Sequence, residues 1–307
     1  MRPRSAALAG AVACAIALAG CGLGAGPGTS SVTVTVTRAF GTIPVGRVNE
    51  RTVPGSETVM RMLERHFNVA TRYGGGFVES INGLAGSASR LDWFYYVNGV
   101  EAPMGAAGTP VHHGDQIWWD LHDWSATNSI PAVVGSFPEP FVHGTGGRRL
   151  PVELECANDV PVACHRASRE LERLKVPFAS QLLGAGSGTD SLVLVVGTWR
   201  DLAPVVLATV LDQGPSASGV YARFTGGGGS LALLDPHGHA VRTLRGDAGL
   251  VAATAQGSAP PTWIVSGTDQ AGVNAAAAAL TPASLHDRFA LAVQGSTDLG
   301  LPLRPGT

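Results

Sequence analysis

The sequence carries little charge and almost no lysine. Its 21 basic and 23 acidic residues give a formal net charge of −2, and Lys175 is the only lysine among 307 residues. Proteins that bind nucleic acids through their phosphates normally present a strongly basic face. We therefore expect no nucleic acid partner.

The sequence also lacks the motifs that organise common catalytic sites. It contains no G-x-S-x-G nucleophile elbow, no H-E-x-x-H zinc motif, and neither a G-x-x-x-x-G-K-[ST] nor a G-x-G-x-x-G nucleotide loop. Asp120 and Asp123 are spaced as an acid–base pair could be, but no other residue organises a reaction around them. We therefore expect a protein that is not an enzyme and that requires no cofactor.

Long hydrophobic runs are absent after the first 21 residues. Residues 1–21 combine a short basic region, an apolar stretch of small residues and the sequence LAGC at 18–21. The stretch is too short for a spanning helix and is typical of a secretory signal peptide. The LAGC box resembles that of bacterial lipoproteins, which implies cleavage before Cys21, its lipidation, and an anchor at the extracytoplasmic face of the cell membrane. A plain secreted protein is the alternative.

Cysteine is scarce, and only two cysteines lie beyond the N-terminal segment. Cys156 and Cys164 are separated by seven residues, and in an oxidising compartment we expect them to form a structural disulfide. A metal site with the adjacent His165 as a third ligand is the alternative, but no fourth ligand is evident.

A second candidate for metal binding is the segment HHGD at residues 112–115, which has His122 and Asp123 nearby. Neighbouring residues on a strand point to opposite faces, so adjacent histidines make poor joint ligands unless the loop is bent. We expect a solvated turn here, and we predict no metal site.

The chain beyond the leader divides into two units. Residues 22–44 are predicted to be a tether with a candidate strand at 32–37, where the sequence VTVTVT alternates strictly. Residues 45–125 carry an amphipathic helix that begins near Ser56 and several short strands joined by Asn-Gly and Gly-Asp turns. This pattern predicts an α+β domain with one helix on a sheet. Residues 126–149 are rich in Pro and Gly, which is typical of a linker.

Residues 150–296 are predicted to form a second domain, of α/β class and unknown role. Its apolar runs are typical of buried parallel strands. Residues 192–205 and 262–275 share the order strand, Gly-Thr, polar pair and helix, which indicates two half-units side by side. An anion could bind at each helix start, although a strand-to-helix turn with threonine as the helix cap explains the pattern as well.

Aromatic residues are concentrated between residues 93 and 124. Because adjacent strand residues point to opposite faces, Trp93 and Tyr95 lie on one face of the predicted sheet, and Phe94 and Tyr96 lie on the other. A single helix covers only one of these faces. The second aromatic face is therefore either an exposed interaction site or a surface covered by the linker or the second domain.

The first unit resembles a known family. The segments TVMRMLE, YGGGFVESINGL, DWFYYVNGV and GAAGTPVHHGDQIWWD are similar to the bacterial DUF4430 domains, which resemble the C-terminal β-grasp domain of transcobalamin and intrinsic factor. The resemblance covers residues 45–125. It implies a small β-grasp-like domain with one helix on a mixed sheet, which captures a cobalamin-like or other small ligand at the cell surface for uptake.

We therefore predict a non-enzymatic, lipid-anchored cell-surface protein that binds a small planar or polar ligand through its aromatic face, with a membrane transporter as a candidate partner. An envelope structural or adhesion module that binds a protein or a cell-wall glycan is the alternative. The predicted ligand-binding residues are Tyr73, Phe77, Trp93, Tyr95, Tyr96, Asn98, Trp118, Trp119 and Trp124.

Overall fold

The computed structural model describes residues 28, 30–87, 90–186 and 188–304. The predicted signal peptide and the lipidation site Cys21 lie outside these residues. Among the described helices, none has the length and apolar character needed to cross a membrane. Several sheets and a smaller share of helix confirm the predicted α+β class.

The first unit is a five-stranded mixed sheet that carries one helix and a small three-stranded sheet on the same face. The large sheet has the order β2-β1-β8-β6-β7, in which β1 and β8 are parallel and the other pairs are antiparallel. The small sheet has the order β3-β4-β5. The elements are β1 Val32–Arg38, β2 Ile43–Glu50, α1 Val59–His66, β3 Val69–Arg72, a 3₁₀ turn at Tyr73–Gly75, β4 Phe77–Ile81, β5 Leu84–Ala85, β6 Leu91–Val97, β7 Val100–Glu101 and β8 Gln116–Asp123.

The first unit begins earlier than the predicted boundary at residue 45. The strand expected inside the tether is β1, and it pairs with both β2 and β8. Its alternate valines, among them Val34 and Val36, are fully buried beneath α1. The strand is therefore part of the domain core.

The N-cap of helix α1 lies two residues after the predicted Ser56. The Oγ1 atom of Thr58 accepts a hydrogen bond from the Arg61 N–H at 3.3 Å, so Thr58 is the N-cap. The predicted apolar face is present, because Val59 and Leu63 are buried against the sheet.

The second unit contains a seven-stranded sheet with the order β10-β9-β11-β16-β15-β17-β18 and a three-stranded antiparallel sheet with the order β12-β13-β14. Strands β10, β9, β11 and β16 are parallel to one another. The pairs β16–β15, β15–β17 and β17–β18 are antiparallel. Its elements are β9 Val152–Cys156, α2 Pro161–Arg173, β10 Ala179–Leu182, β11 Leu192–Thr198, α3 Trp199–Leu202, α4 Val206–Asp212, α5 Pro215–Ser218, β12 Ala222–Thr225, β13 Ser230–Leu234, β14 Ala240–Arg245, β15 Ala248–Thr254, β16 Thr262–Gly267, α6 Gln270–Ala278, α7 Pro282–Leu285, β17 Ala290–Gln294 and β18 Thr297–Leu301.

The two predicted half-units lie side by side. Strand β11 leads into α3, β16 leads into α6, and the two strands are neighbours in the sheet. Thr198 caps α3 as expected, but the cap of α6 is Asp269. The unit also extends past the predicted end at residue 296, because β18 completes the sheet.

The predicted disulfide is present between Cys156 and Cys164. It joins the end of β9 to the first turns of α2, on the sheet face that α2 and α6 cover.

The segment 126–149 contains no regular helix or strand, as its composition predicts, but it is packed rather than free. Val134, Phe137 and Phe141 are buried in the core that α2 and α6 cover. Val133 joins the core on the opposite face. The connection therefore fixes the two units to each other.

The second aromatic face of the first unit is covered by the second unit. Tyr96 and Trp118 are buried together with Phe40, and their rings meet Phe289 with centroid distances of 5.6 Å and 5.1 Å. This is the second of the two alternatives for that face. The expectation that it forms an exposed interaction site is wrong, because burial of these apolar rings between the units is favourable.

Candidate functional site

A cavity of about 430 Å³ opens in the first unit along the outer edge of β6. Strand β7 pairs with Tyr96 and Val97, and an isolated bridge joins Ser87 to Leu91, so the edge of β6 is open around Trp93 between these contacts. Helix α1, strands β4, β6 and β8, and the loop after β7 contribute its walls. The residues that line it include five aromatics (Phe77, Trp93, Phe94, Tyr95 and Trp119), two methionines (Met60 and Met104) and two acidic residues (Asp92 and Glu101). Because side chains alternate along a strand, the acidic residues and Phe94 lie on the opposite face of the sheet from Trp93, Tyr95 and Trp119.

The aromatic residues of the cavity differ in burial. Trp119 is 2% exposed and stacks on Tyr95 with a centroid distance of 4.7 Å. The Nε1–H of Trp93 donates to the Leu84 carbonyl at 3.1 Å. Phe77, in contrast, is 45% exposed at the rim. Trp119 and Trp93 therefore form the buried part of the wall, and Phe77 is an accessible ring at the entrance.

The backbone of β6 adds polar groups to the cavity. Strand β6 bonds to β8 through its even-numbered residues, so the backbone groups of Trp93 and Tyr95 point to the open edge. The Trp93 N–H donates to Asp92 Oδ1 at 3.0 Å, and the Tyr95 carbonyl accepts from the Ala102 N–H at 3.4 Å. The Trp93 carbonyl and the Tyr95 N–H are left to face the cavity.

One buried donor in the wall has no partner. The Nε1–H of Trp119 makes no hydrogen bond to any described residue, although the atom is shielded from solvent. An unpaired buried N–H costs about 1–3 kcal/mol.

The two carboxylates are the acidic groups of the site. Burial raises the pKa of Asp92, against the opposing effect of the hydrogen bond from the Trp93 N–H. Burial likewise raises the pKa of Glu101, whose Oε2 accepts a hydrogen bond from Ser129 Oγ. Within the described chain, no Lys, Arg or His side chain lines the cavity. Its potential is therefore negative when these groups are ionised.

The structure brings together four of the nine predicted ligand-binding residues, namely Phe77, Trp93, Tyr95 and Trp119. Tyr73 is 88% exposed on the loop before β4 and does not line the cavity. Trp124 is half-buried beyond the end of β8 and does not line it either.

Three further predicted residues have structural roles. Tyr96 and Trp118 are buried between the units. Asn98 is buried at the β6–β7 turn, where its Nδ2 donates to Asp115 Oδ1 at 2.9 Å and to the Gly144 carbonyl at 2.8 Å. None of the three lines the cavity, and their assignment as ligand-binding residues stays a prediction.

Sequence reasoning did not find Asp92, Glu101, Met60 and Met104. Asp92 directly precedes the aromatic run, and Glu101 follows the Asn-Gly turn, so their proximity to the rings was the available signal. The methionines come from separate parts of the chain, and only the fold brings them together.

The described residues contain no group of three His, Cys, Asp or Glu side chains positioned for a metal ion. In the HHGD segment, His113 Nδ1 lies 3.0 Å from Ser30 Oγ, and His112 Nδ1 lies 3.5 Å from Asp115 Oδ2. Asp120 is fully buried in the interface between the units, whereas Asp123 is partly exposed at the end of β8. The pair therefore does not form an acid–base site.

Comparisons with known proteins identify the first unit. Residues 56–123 match the family described as "Domain of unknown function (DUF4430)", so the chain contains a DUF4430 domain. A solved structure described as "a putative metal binding protein" from Ruminococcus gnavus ATCC 29149 is similar over 31% of this chain and 97% of its own, with 18% identity and a TM-score of 0.25. A comparison with curated proteins gives no significant match. The resemblance to transcobalamin stays a prediction.

Proposed function

We propose that this DUF4430-containing chain is a non-enzymatic binding protein that holds a small ligand in the cavity beside β6. The observation that carries the proposal is the aromatic cavity itself. Its volume of about 430 Å³ lies within the range of small-molecule sites, which are mainly apolar and contain a few placed polar groups. Here those groups are the two carboxylates and the backbone groups on the open edge of β6.

A flat ligand suits this cavity because the rings offer planar surfaces. The stacked pair of Tyr95 and Trp119 is fixed in place, and Phe77 can close on a bound molecule from the rim. Aromatic surfaces favour stacked or edge-on contact with planar molecules. A cobalamin-like ligand is also a candidate. Because the molecule is large, it would insert only part of its ring system into a cavity of about 430 Å³.

We further propose that the cavity is displayed outside the cell by a lipid on Cys21, for presentation of the ligand to a membrane transporter. The LAGC box supports this, and the disulfide Cys156–Cys164 is typical of an oxidising compartment. Replacement of Cys21 by Ala should move the chain from the membrane fraction to the medium. Retention of the variant at the membrane would contradict the lipid anchor.

The alternative role as an envelope or adhesion module rested on an exposed second aromatic face. Since Tyr96 and Trp118 are buried by the second unit, that surface is not open to a protein or a glycan. We therefore favour capture of a small ligand.

The proposal is tested by titration of the full-length chain, followed by tryptophan fluorescence. The panel is cyanocobalamin, cobinamide, haem, a flavin and simple sugars, with correction for absorption by coloured compounds. We expect at least one saturable response, and we expect Phe77→Ala to weaken it about tenfold through loss of a buried ring contact.

The matched control is Tyr73→Ala, which removes an exposed aromatic ring from the neighbouring loop without touching the cavity. Its affinity should equal that of the natural chain. A panel with no saturable response, or an equal loss in both variants, would contradict the proposal.

A further inference from the structure

The backbone of β6 has an open edge that borders the cavity. Strand β6 bonds to β8 through its even-numbered residues, so the N–H and carbonyl groups of Trp93 and Tyr95 point to the other side. On that side no described strand pairs with β6 around Trp93, between β7 and the bridge that joins Ser87 to Leu91. The strand therefore meets the cavity with its own hydrogen-bonding groups.

Two of the four backbone groups on this edge are already bonded. The Trp93 N–H donates to the side chain of its neighbour, Asp92 Oδ1, at 3.0 Å, and the Tyr95 carbonyl accepts from the Ala102 N–H at 3.4 Å. The Trp93 carbonyl and the Tyr95 N–H have no hydrogen-bond partner among the described residues. The groups that remain are one acceptor and one donor, which flank Phe94 along the strand.

An acceptor that is followed two residues later by a donor is the pattern of a parallel strand pair. In such a pair, both groups bond to a single partner residue, which supplies one N–H and one carbonyl. An antiparallel partner needs the N–H and the carbonyl of one residue, and at Trp93 and at Tyr95 one of these two groups is already used. The edge at Phe94 is therefore complementary to an N–H and a carbonyl that lie side by side.

The surroundings of the edge strengthen this selection. Trp93 is 5% exposed, and Phe77 and Trp119 line the same cavity. A ligand that displaced water from the edge without replacing its hydrogen bonds would leave both backbone groups unpaired, which is unfavourable in a shielded site. Flat ligands that lack an N–H and a carbonyl should therefore bind less tightly than ligands that carry both.

We propose that the ligand of this cavity carries an amide, whose N–H donates to the Trp93 carbonyl and whose carbonyl accepts from the Tyr95 N–H. This inference rests on the proposed function and narrows its ligand class. Two kinds of molecule present the required pair of groups: a ring with a lactam or imide edge, and one residue of an extended peptide that runs parallel to β6. The aromatic residues of the cavity favour the ring, because a lactam ring is flat.

The inference is tested with three probes that share one bicyclic ring. 2-Quinolone has the lactam N–H and carbonyl side by side, 1-methyl-2-quinolone keeps only the carbonyl, and quinoline has neither group. Binding to the full-length chain is measured by ligand-observed NMR with competition. We expect 2-quinolone to bind at least about tenfold more tightly than each of the other two, because only 2-quinolone can make both hydrogen bonds.

The backbone N–H of Tyr95 reports the contact directly. The chain has four tyrosines, so labelling with ¹⁵N-tyrosine gives four backbone signals, and Tyr95→Phe identifies one of them by its loss. Titration with 2-quinolone should shift the Tyr95 signal in a saturable manner. The Tyr96 signal is the matched reference, because its N–H lies on the side of β6 that pairs with β8. Saturable binding that leaves the Tyr95 signal in place would overturn the inference.

A linear probe distinguishes the two sources of the amide. N-acetylphenylalanine N-methylamide presents the N–H and the carbonyl of one extended residue beside an aromatic side chain. If 2-quinolone binds more tightly, the ligand is a lactam or imide ring. If the linear probe binds more tightly and shifts the same Tyr95 signal, the ligand is an extended peptide.

The outcomes separate this inference from the proposed function. Phe77→Ala should weaken 2-quinolone and its methyl derivative by the same factor, and Tyr73→Ala should change neither. Equal binding of the three bicyclic probes, weakened together in Phe77→Ala, would overturn the amide preference and keep the cavity as a ligand site. Failure of both amide probes to bind would also overturn the amide preference. If the wider panel were silent too, the proposed function would fall with it.

Discussion

The Nδ1 atom of His122 lies 3.0 Å from Oδ1 of Asp120, and both side chains are buried where the two units meet. The imidazole ring is stacked between Phe94 and Phe40, with centroid distances of 4.4 Å and 4.7 Å. Because Phe94 also lines the cavity, the packing between the units supports one wall of the ligand site.

Asp120 is the centre of this interface. Its carboxylate also accepts the Thr37 hydroxyl at 2.5 Å and the N–H groups of Phe40 and Gly41 at 2.9 Å and 2.8 Å. Replacement by Ala should lower the free energy of unfolding by about 3–5 kcal/mol, since these buried donors would lose their partner.

Urea denaturation of the purified chain checks this, with Asp298→Ala as the control. Asp298 is exposed on β18, so its loss should change the free energy of unfolding by no more than about 0.5 kcal/mol. Equal effects of the two substitutions would show that the Asp120 network does not stabilise the interface.

Gly41 tests how closely the two units approach. A Cβ atom at this position would lie 1.9 Å from the carbonyl oxygen of Asp287 and 2.9 Å from the Trp118 ring. We expect Gly41→Ala to destabilise the chain by about 2–4 kcal/mol, because the units must separate and the backbone is left-handed.

Gly74→Ala is the matched control for Gly41→Ala. Gly74 has a similar positive φ of +70°, but nothing lies within 4 Å of its added Cβ. Gly74→Ala should lower the free energy of unfolding by only about 1 kcal/mol, which is the cost of placing alanine in a left-handed conformation. Thermal melting compares the two, and a larger loss at Gly74 would be inconsistent with close contact between the units.

The carboxylates of the cavity should reduce the stability of the free protein. The folded chain holds their protons more tightly than the unfolded chain, since burial raises the pKa of both Asp92 and Glu101. Their ionised forms therefore destabilise the fold above the raised pKa values, and the effect vanishes below the ordinary values of 3.8 and 4.5.

The double variant Asp92→Asn, Glu101→Gln should accordingly melt at a higher temperature than the natural chain near neutral pH. The difference should disappear as the pH falls below those ordinary values. Calorimetry across this pH range is the measurement, and a variant less stable at neutral pH would show that the two ionised groups stabilise the fold.

The disulfide Cys156–Cys164 closes a short loop, with a sequence separation of 8. Replacement of both cysteines by Ser should lower the free energy of unfolding by about 2–3 kcal/mol in the chain-entropy account. A reducing agent should cause a similar loss in the natural chain and none in the double variant. Insensitivity of the natural chain to reduction would contradict a stabilising bridge.

The sequence predicted the elements whose signals are local. The alternation of Val32 to Thr37, the apolar face of α1 and the short Cys156–Cys164 spacing each depend on neighbouring residues, and the structure contains all three. The similar order of residues 192–205 and 262–275 likewise predicted two strands side by side, and β11 and β16 are neighbours in the sheet.

The covered face of the first sheet and the lining of the cavity depend on contacts between residues that are far apart in the sequence. Period-two alternation showed that Trp93 and Tyr96 lie on opposite faces, but it could not show which face the second unit covers. The ligand site was therefore predicted partly on the buried face, at Tyr96 and Trp118, while the acidic groups Asp92 and Glu101 were missed.

The indole resonance of Trp119 offers the most direct test of the central claim, that the cavity beside β6 binds a small ligand. Trp119 lines the cavity, and its Nε1–H is buried and lacks a partner among the described residues, so its resonance is sensitive to a change in the ring's surroundings. A Trp119→Phe variant assigns the signal in the ¹⁵N–¹H spectrum, and Trp263, buried in the second unit, is the internal reference. With a compound of the panel that binds, the account predicts a saturable shift of the Trp119 signal while the Trp263 signal stays in place. A saturable ligand that moves the Trp263 signal and leaves Trp119 unchanged would contradict it.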